Sequence, residues 1–343
     1  MKILVGVSGG VDSAYSLLKL MREGHDVEAC VLKMHEYTDC ASAREVADSL
    51  GVKLHEIDVT NSFNNIIKEN FIAEYLNGRT PNPCILCNER VKFAALYDYA
   101  MENGFDKIAT GHYAGVIKLQ TPQGERYAVA KADDESKEQS YMLYRLPQKI
   151  LSNLLLPLAD DGKSRVRELS AEAGIPVSNK KDSQEICFLP DGKHADYIES
   201  VKGECPRGNF VDTDGNVLGE HKGIIRYTVG QRKGLGISLG ERVFVTNIDP
   251  IKNTVTLSPK LIGKRTVKLS DMVYSGISLP KESCTYELSA KIRYKSPMYK
   301  IKADLLPNGC AILHFDEEIM AAPGQSAVLY IDGYIAAGGI ITG

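Results

Sequence analysis

The sequence predicts an α/β domain with a parallel sheet, followed by antiparallel β structure. Three observations carry this. Up to Thr110, short apolar runs alternate with stretches whose apolar residues recur at helical spacing. A glycine turn, Ser8-Gly9-Gly10-Val11-Asp12-Ser13, joins the first strand to the first helix. After about Val201 the pattern changes to apolar–polar alternation around Asp-Gly, Asn-Thr and Pro-Asn-Gly turns.

Lys2–Val7 and Val27–Met34 read as short buried strands. Ala14, Leu17, Leu18 and Met21 recur at helical spacing before Gly24, and Ala43, Val46, Ala47 and Leu50 before Gly51. Lys53–Val59 is the next strand. Ser62–Leu76 is a helix with Phe63, Ile67 and Phe71 on one face. Phe93, Leu96, Tyr97, Ala100 and Met101 mark another helix, and Lys107–Thr110 the strand after it. Strands alternating with helices make a parallel sheet covered on both faces. The alternating stretches beyond Val201 fill two small barrels or sheets, with a junction near Leu261–Leu269.

A chain of 343 residues holds two or three domains, because one core rarely serves beyond about 250–300 residues. Its 43% hydrophobic and 25% charged content is that of a soluble globular protein. MKILVGVSGGVDS lacks the apolar run of a signal peptide, and no segment suits a membrane span, so a cytoplasmic protein is expected. Eight cysteines without a secretion signal fit reduced thiols. The net charge of −3 selects no partner; nucleic-acid binding would need basic residues gathered on one face.

The glycine turn stands where open α/β sheets bind ligands, after a strand and before a helix. Gly9 and Gly10 permit close approach of an anion, and Ser8 and Ser13 add hydroxyls. A plain helix cap by Asp12 or Ser13 is the simpler alternative. The loop resembles the SGG-x-DS signature of the ATP pyrophosphatase (PP-loop) superfamily. That resemblance implies ATP cleavage to AMP and pyrophosphate, with Asp12 helping to hold Mg2+.

Thr80-Pro81-Asn82-Pro83-Cys84-Ile85-Leu86-Cys87-Asn88 holds the one Cys-x-x-Cys pair. Structural zinc needs four ligands, and no second pair exists. The remaining readings are a redox pair, a reactive thiol or an inert turn. Cys87 precedes a helix read as Glu89–Met101, whose positive end would activate its thiolate.

"GRTPNPCILCNERVKF" resembles the signature loop of the bacterial tRNA-specific 2-thiouridylases, the MnmA family. "IATGHYA", "EQSYMLYRL", "KKDSQEICF", "YTVGQRKGLGI", "KIRYKS" and "APGQSAV" follow in the family's order over nearly the whole chain. The resemblance implies an adenine-nucleotide-alpha-hydrolase-like domain over residues 1–198, a small β-rich central domain over 199–264 and a C-terminal antiparallel β-barrel over 265–343. It further implies a sulfurtransferase acting on the wobble uridine of Lys, Glu and Gln tRNAs. A cysteine desulfurase or sulfur-relay protein would be the donor.

On this resemblance Gly6, Val7, Ser8, Gly9, Gly10, Val11, Asp12 and Ser13 hold ATP, with Leu32 and Gly111 on the adenosine side. Cys87 is the nucleophile and Cys187 carries the incoming persulfide, with a Cys87–Cys187 disulfide left after transfer. Asn82, Pro83 and Cys84, then Lys137, Glu138 and Gln139, and Arg293 and Tyr294, contact tRNA. Tyr294 would stack on a base splayed from the anticodon loop. Lys180 and Lys181 join a basic track. His112 reads as a base or as a structural histidine.

Cys84 departs from the family, many of whose members carry Asp there. Either its thiol simply replaces the carboxylate at the base, or Cys84, Cys87 and Cys187 are three ligands of a 4Fe–4S cluster whose open iron binds the sulfur. Two other functions fit the glycine loop: a different adenylating ligase, and a non-catalytic iron–sulfur or RNA-binding protein.

Overall fold

The computed structural model describes residues 1–122, 124–178, 186–189 and 192–342. Lys180 and Lys181 lie outside the described residues. The chain opens with β1 (Lys2–Gly6), β2 (Asp26–Lys33), β3 (Leu54–Asp58) and β4 (Lys107–Thr110). A hairpin of β5 (Ala114–Thr121) and β6 (Gly124–Lys131) follows, then the short β7 (Leu154–Leu155). Strands β3-β2-β1-β4-β7 form a parallel sheet in that order. The order reverses beside β1, so the loop after it opens at the switch point where such sheets bind ligands.

Successive side chains of a strand face opposite sides, and β1 divides its residues accordingly. Ile3, Val5 and Val7 pack with Ala14 and Leu17 of α1 (Val11–Arg22) and with Val46 of α2 (Cys40–Leu50). Leu4 packs on the other face with Phe63, Phe71, Phe93 and Leu96. Both faces are covered, as the continuous apolar strands require.

Two helical runs depart from the expectation. Thr60–Leu76 is continuous but passes through a π-helical stretch at Phe63–Lys68. The helix expected to start at Glu89 begins six residues earlier, at Pro83, and runs to Glu102 through a π-helical stretch at Asn88–Lys92. Proline suits the first helical position because its missing N–H would be unpaired there anyway. Cys87 therefore sits within the run and not ahead of it.

Strands β8 (Gly208–Val211), β9 (Val217–His221), β10 (Phe244–Asp249) and β11 (Thr254–Ser258) make a small sheet over Phe210, Val245 and Val255. Its β11–β8 pairing is parallel, and its other pairings are antiparallel. The last six strands are β12 (Lys264–Tyr274), β13 (Cys284–Lys291), β14 (Tyr299–Leu305), β15 (Ala311–Ile319), β16 (Ser326–Ile331) and β17 (Tyr334–Ile341). They form an antiparallel barrel closed by β12 against β17. Strand β6 pairs with β17, so a hairpin from the N-terminal half of the chain extends the barrel's sheet.

Barrel and central sheet both grip the segment before the cysteines. Thr80 N–H donates to the Pro323 carbonyl at 2.9 Å, and Gln325 Nε2 donates to the Thr80 carbonyl at 2.7 Å. Gly324 lies so close that a Cβ would fall 3.0 Å from Thr80 N. Gly78 leans in the same way on Ile248.

Candidate active site

The loop Ser8–Ser13 is shaped by hydroxyls and close packing. Ser13 Oγ donates to the Gly10 carbonyl at 3.0 Å and accepts from Ser8 N–H at 3.1 Å. Gly9 takes φ +69°, and a Cβ there would lie 2.8 Å from Ser42 Cβ. A Cβ on Gly111, just past β4, would lie 2.6 Å from Ser13 N. No side chain caps the start of α1, whose first N–H groups have no intrahelical acceptor. Backbone donors at a helix start, with no side chain in the way, suit a phosphate. Leu32 and Val7 are buried.

Asp12 does not stand open for a metal ion. Both carboxylate oxygens accept from Lys163 Nζ at 2.7 Å, and Oδ1 also accepts from the Tyr113 hydroxyl at 2.8 Å. Lys163 is the first residue of helix Lys163–Glu172 and is buried. The positive charge beside the loop is thus a lysine, and the arrangement does not fit a ready magnesium site.

Cys84, Cys87 and Cys187 line one pocket with Met34, Phe63, Ile67, Pro83, Lys92 and Phe188. Cys87 is buried, its sulfur 3.9 Å from Met34 Sδ. Cys84 and Cys187 sit at the exposed side, yet their sulfurs lie among apolar groups. Burial pushes all three thiols up, Cys87 to about 12, and Lys92 works against it. This corrects the activated Cys87 expected from a helix start, because desolvation dominates. All eight cysteines are free thiols. No three potential ligands among the described residues are gathered to hold one ion, so the trio does not fit a formed iron–sulfur site.

His112 bonds Thr110 through Nδ1 at 2.9 Å and lies on the Phe93 ring. Burial and then Lys92 lower its pKa to about 3, which favours the neutral imidazole.

The family model described as the tRNA methyl transferase HUP domain matches residues 1–191. The tRNA methyl transferase PRC-barrel domain matches 195–259, and the aminomethyltransferase beta-barrel domain 264–341. The tRNA-specific 2-thiouridylase MnmA 1 of Clostridium tetani is 41% identical over 354 residues, covering 99% of this chain and 96% of that protein. The MnmA of Clostridium perfringens is 41% identical over 357 residues, with 99% and 98% covered. The chain belongs to the MnmA family of tRNA-specific 2-thiouridylases. Among solved structures, the U34-tRNA thiolase NcsA of Methanococcus maripaludis with its 4Fe-4S cluster covers 59% of this chain and 67% of its own at 16% identity. Its TM-score of 0.35 is too low to bear on the site. No helix among the described residues is long and apolar enough to cross a membrane.

The MnmA family uses ATP. The residues expected to meet tRNA are differently placed. Asn82 is half-buried, with Nδ2 3.8 Å from Met142 Sδ, and Pro83 is buried. Glu138 is buried; its Oε1 accepts from Ser140 N–H at 2.5 Å, and Lys291 Nζ lies 3.5 Å from Oε2. Its side chain thus faces the barrel and not solvent. Gln139 Oε1 accepts from Tyr113 N–H at 2.9 Å. Lys137 is half-buried and Arg293 exposed. The Tyr294 hydroxyl donates to the Glu138 carbonyl at 3.1 Å. Arg226 is held by Asp196 and Glu199, and Arg165 by Glu168.

Lys163, Tyr113 and Lys92 were not singled out by the sequence. Lys163 carries one local signal: a cation at a helix start opposes the helix dipole, so its purpose lies elsewhere.

Proposed function

We propose that the chain is a sulfurtransferase that replaces the C2 oxygen of the wobble uridine in Lys, Glu and Gln tRNAs with sulfur. The observation that supports this best is the shared pocket of Cys84, Cys87 and Cys187, in a chain whose first strand ends in an ATP loop. Three parts divide the work, over residues 1–198, 199–264 and 265–343, in the cytoplasm.

ATP supplies the adenylyl group that makes the C2 oxygen a leaving group, departing as AMP after pyrophosphate release. Gly6–Ser13 hold the phosphates, Leu32 and Gly111 flank the adenosine, and Lys163 beside Asp12 keeps a cation near the developing charge. Asn82, Pro83 and Cys84 face the target base. Lys137, Glu138, Gln139, Arg293 and Tyr294 belong to the tRNA side; Glu138, being buried, acts there through its bonds to Lys291 and Tyr294.

A cysteine desulfurase or relay protein loads Cys187 as a persulfide. The terminal sulfur gives its proton to solvent and attacks C2 as an anion, and the C2–O bond breaks. Cys87 thiolate then attacks Cys187 Sγ. The persulfide S–S bond breaks, its electron pair completes the C2 thiocarbonyl, and a Cys87–Cys187 disulfide forms. A dithiol reductant returns two electrons and two protons. Magnesium accompanies the nucleotide; no step here is assigned to it or to an iron–sulfur cluster.

The test supplies ATP, unmodified tRNA, cysteine and a cysteine desulfurase, then measures pyrophosphate and, by nucleoside mass spectrometry, 2-thiouridine. Both are expected. Pyrophosphate without thiouridine would indicate another adenylating ligase. Methylated uridine, the chemistry named by two of the matching models, or no reaction would overturn the proposal.

A further inference from the structure

Lys92 ends the π-helical stretch Asn88–Lys92, a deviation frequently found at functional positions. It lines the thiol pocket with all three cysteines. Several other buried or half-buried cations have carboxylate partners: Lys163 has Asp12, Arg145 has Glu89 and Lys291 has Glu138. No carboxylate among the described residues pairs with half-buried Lys92. A cation in an apolar wall is costly unless an anion joins it. The anions this pocket must form are sulfur anions.

We infer that Lys92 is the counter-charge of sulfur transfer, holding the Cys87 thiolate and the Cys187 persulfide anion in a pocket that otherwise disfavours them. It offsets charge and moves no proton. The same charge acts on all three cysteines, whose pocket Lys92 lines. The role deepens the sulfurtransferase reading and rests on it.

The first measurement needs neither ATP nor tRNA, so its failure is separate from failure of that reading. Purified reduced protein is labelled with iodoacetamide at pH 8, and each cysteine is followed by peptide mass spectrometry. In Lys92→Met, labelling of Cys84, Cys87 and Cys187 slows about three- to tenfold, as loss of up to one pKa unit of thiolate stabilisation predicts. Cys40, Cys284 and Cys310 keep their rates and report an intact fold. Lys92→Arg keeps the charge and the rates. Lys92→Gln repeats the measurement if Lys92→Met labels the control cysteines faster. Single-turnover thiolation in Lys92→Met falls at least tenfold, while ATP and tRNA affinities stay within twofold. Unchanged labelling of the trio in a folded Lys92→Met or Lys92→Gln protein overturns the inference, as does full-rate thiolation.

Discussion

Replacing Lys163 by Met tests the ion pair it makes with Asp12 of the glycine loop. Lys163 Nζ lies 2.7 Å from both oxygens of Asp12, with side-chain exposures of 10% and 28%. At an effective dielectric of about 20, unit charges about 4 Å apart attract by ~4 kcal/mol. Desolvation of both groups offsets much of that. Removing the lysine leaves Asp12 with the Tyr113 hydroxyl as a side-chain donor; because the carboxylate is a quarter exposed, water recovers part of the loss. A net cost of about 2 kcal/mol remains, below the ~3–5 kcal/mol of a fully buried pair broken from one side. For a domain of this size that lowers the melting midpoint by ~4–8 °C. The double variant Asp12→Asn with Lys163→Met should melt well above the sum of the two single losses, since it leaves no orphaned charge. The assay is thermal unfolding of the four proteins of the cycle at pH 7, with ATP affinity measured alongside. Melting losses that add within about 0.5 kcal/mol would show that the two residues do not act as a pair.

Asp12→Ala and Ser13→Ala should each abolish thiolation, Ser13→Ala because the loop loses the oxygen that bonds both Ser8 and Gly10; normal activity in Ser13→Ala would remove the phosphate role. Cys87→Ala and Cys187→Ala should abolish thiolation but leave ATP affinity unchanged, and Cys84→Asp should keep activity; thiolation surviving in Cys187→Ala would defeat the persulfide route. His112 is held neutral, with a pKa near 3 in place of about 6.5. Its contribution is therefore complete above pH 6.5 and is lost as pH falls toward 3, at up to ~1.4 kcal/mol per unit. His112→Asn should lose less of its melting midpoint between pH 7 and 5 than the natural protein, and an equal loss would contradict this. Arg293 is exposed and has no ion-pair partner among the described residues. Arg293→Ala should flatten the salt dependence of tRNA affinity by ~0.7–0.9 log units per log unit of salt, and an unchanged slope would take Arg293 off the RNA surface.

What the sequence disclosed was local, and what it hid was distant. The parallel sheet is legible because β1 is a short apolar run followed by glycines and an amphipathic helix. The glycine loop is legible because its donors and hydroxyls lie within six successive residues. The start of the cysteine helix was misplaced because Pro81 and Pro83 read as loop markers, although proline also suits a first helical turn. The β5–β6 hairpin alternates only weakly, and its partner β17 lies two hundred residues on, beyond any window of periodicity. Asp12 shows the same limit at the site. Its side chain looked free for a metal because Lys163 and Tyr113 reach it from elsewhere in the chain, separated in sequence by 151 and 101 residues. The helix dipole and the apolar pocket make the last case. From the sequence alone, a cysteine ahead of a helix is an activated thiolate. In the folded chain Cys87 lies inside the helical run, where the dipole is spent and burial raises the thiol. A thiol kept protonated in this way resists oxidation and stray alkylation until an anion is needed. The cation that meets that need must then be built into the pocket wall, and Lys92 is the residue the wall supplies.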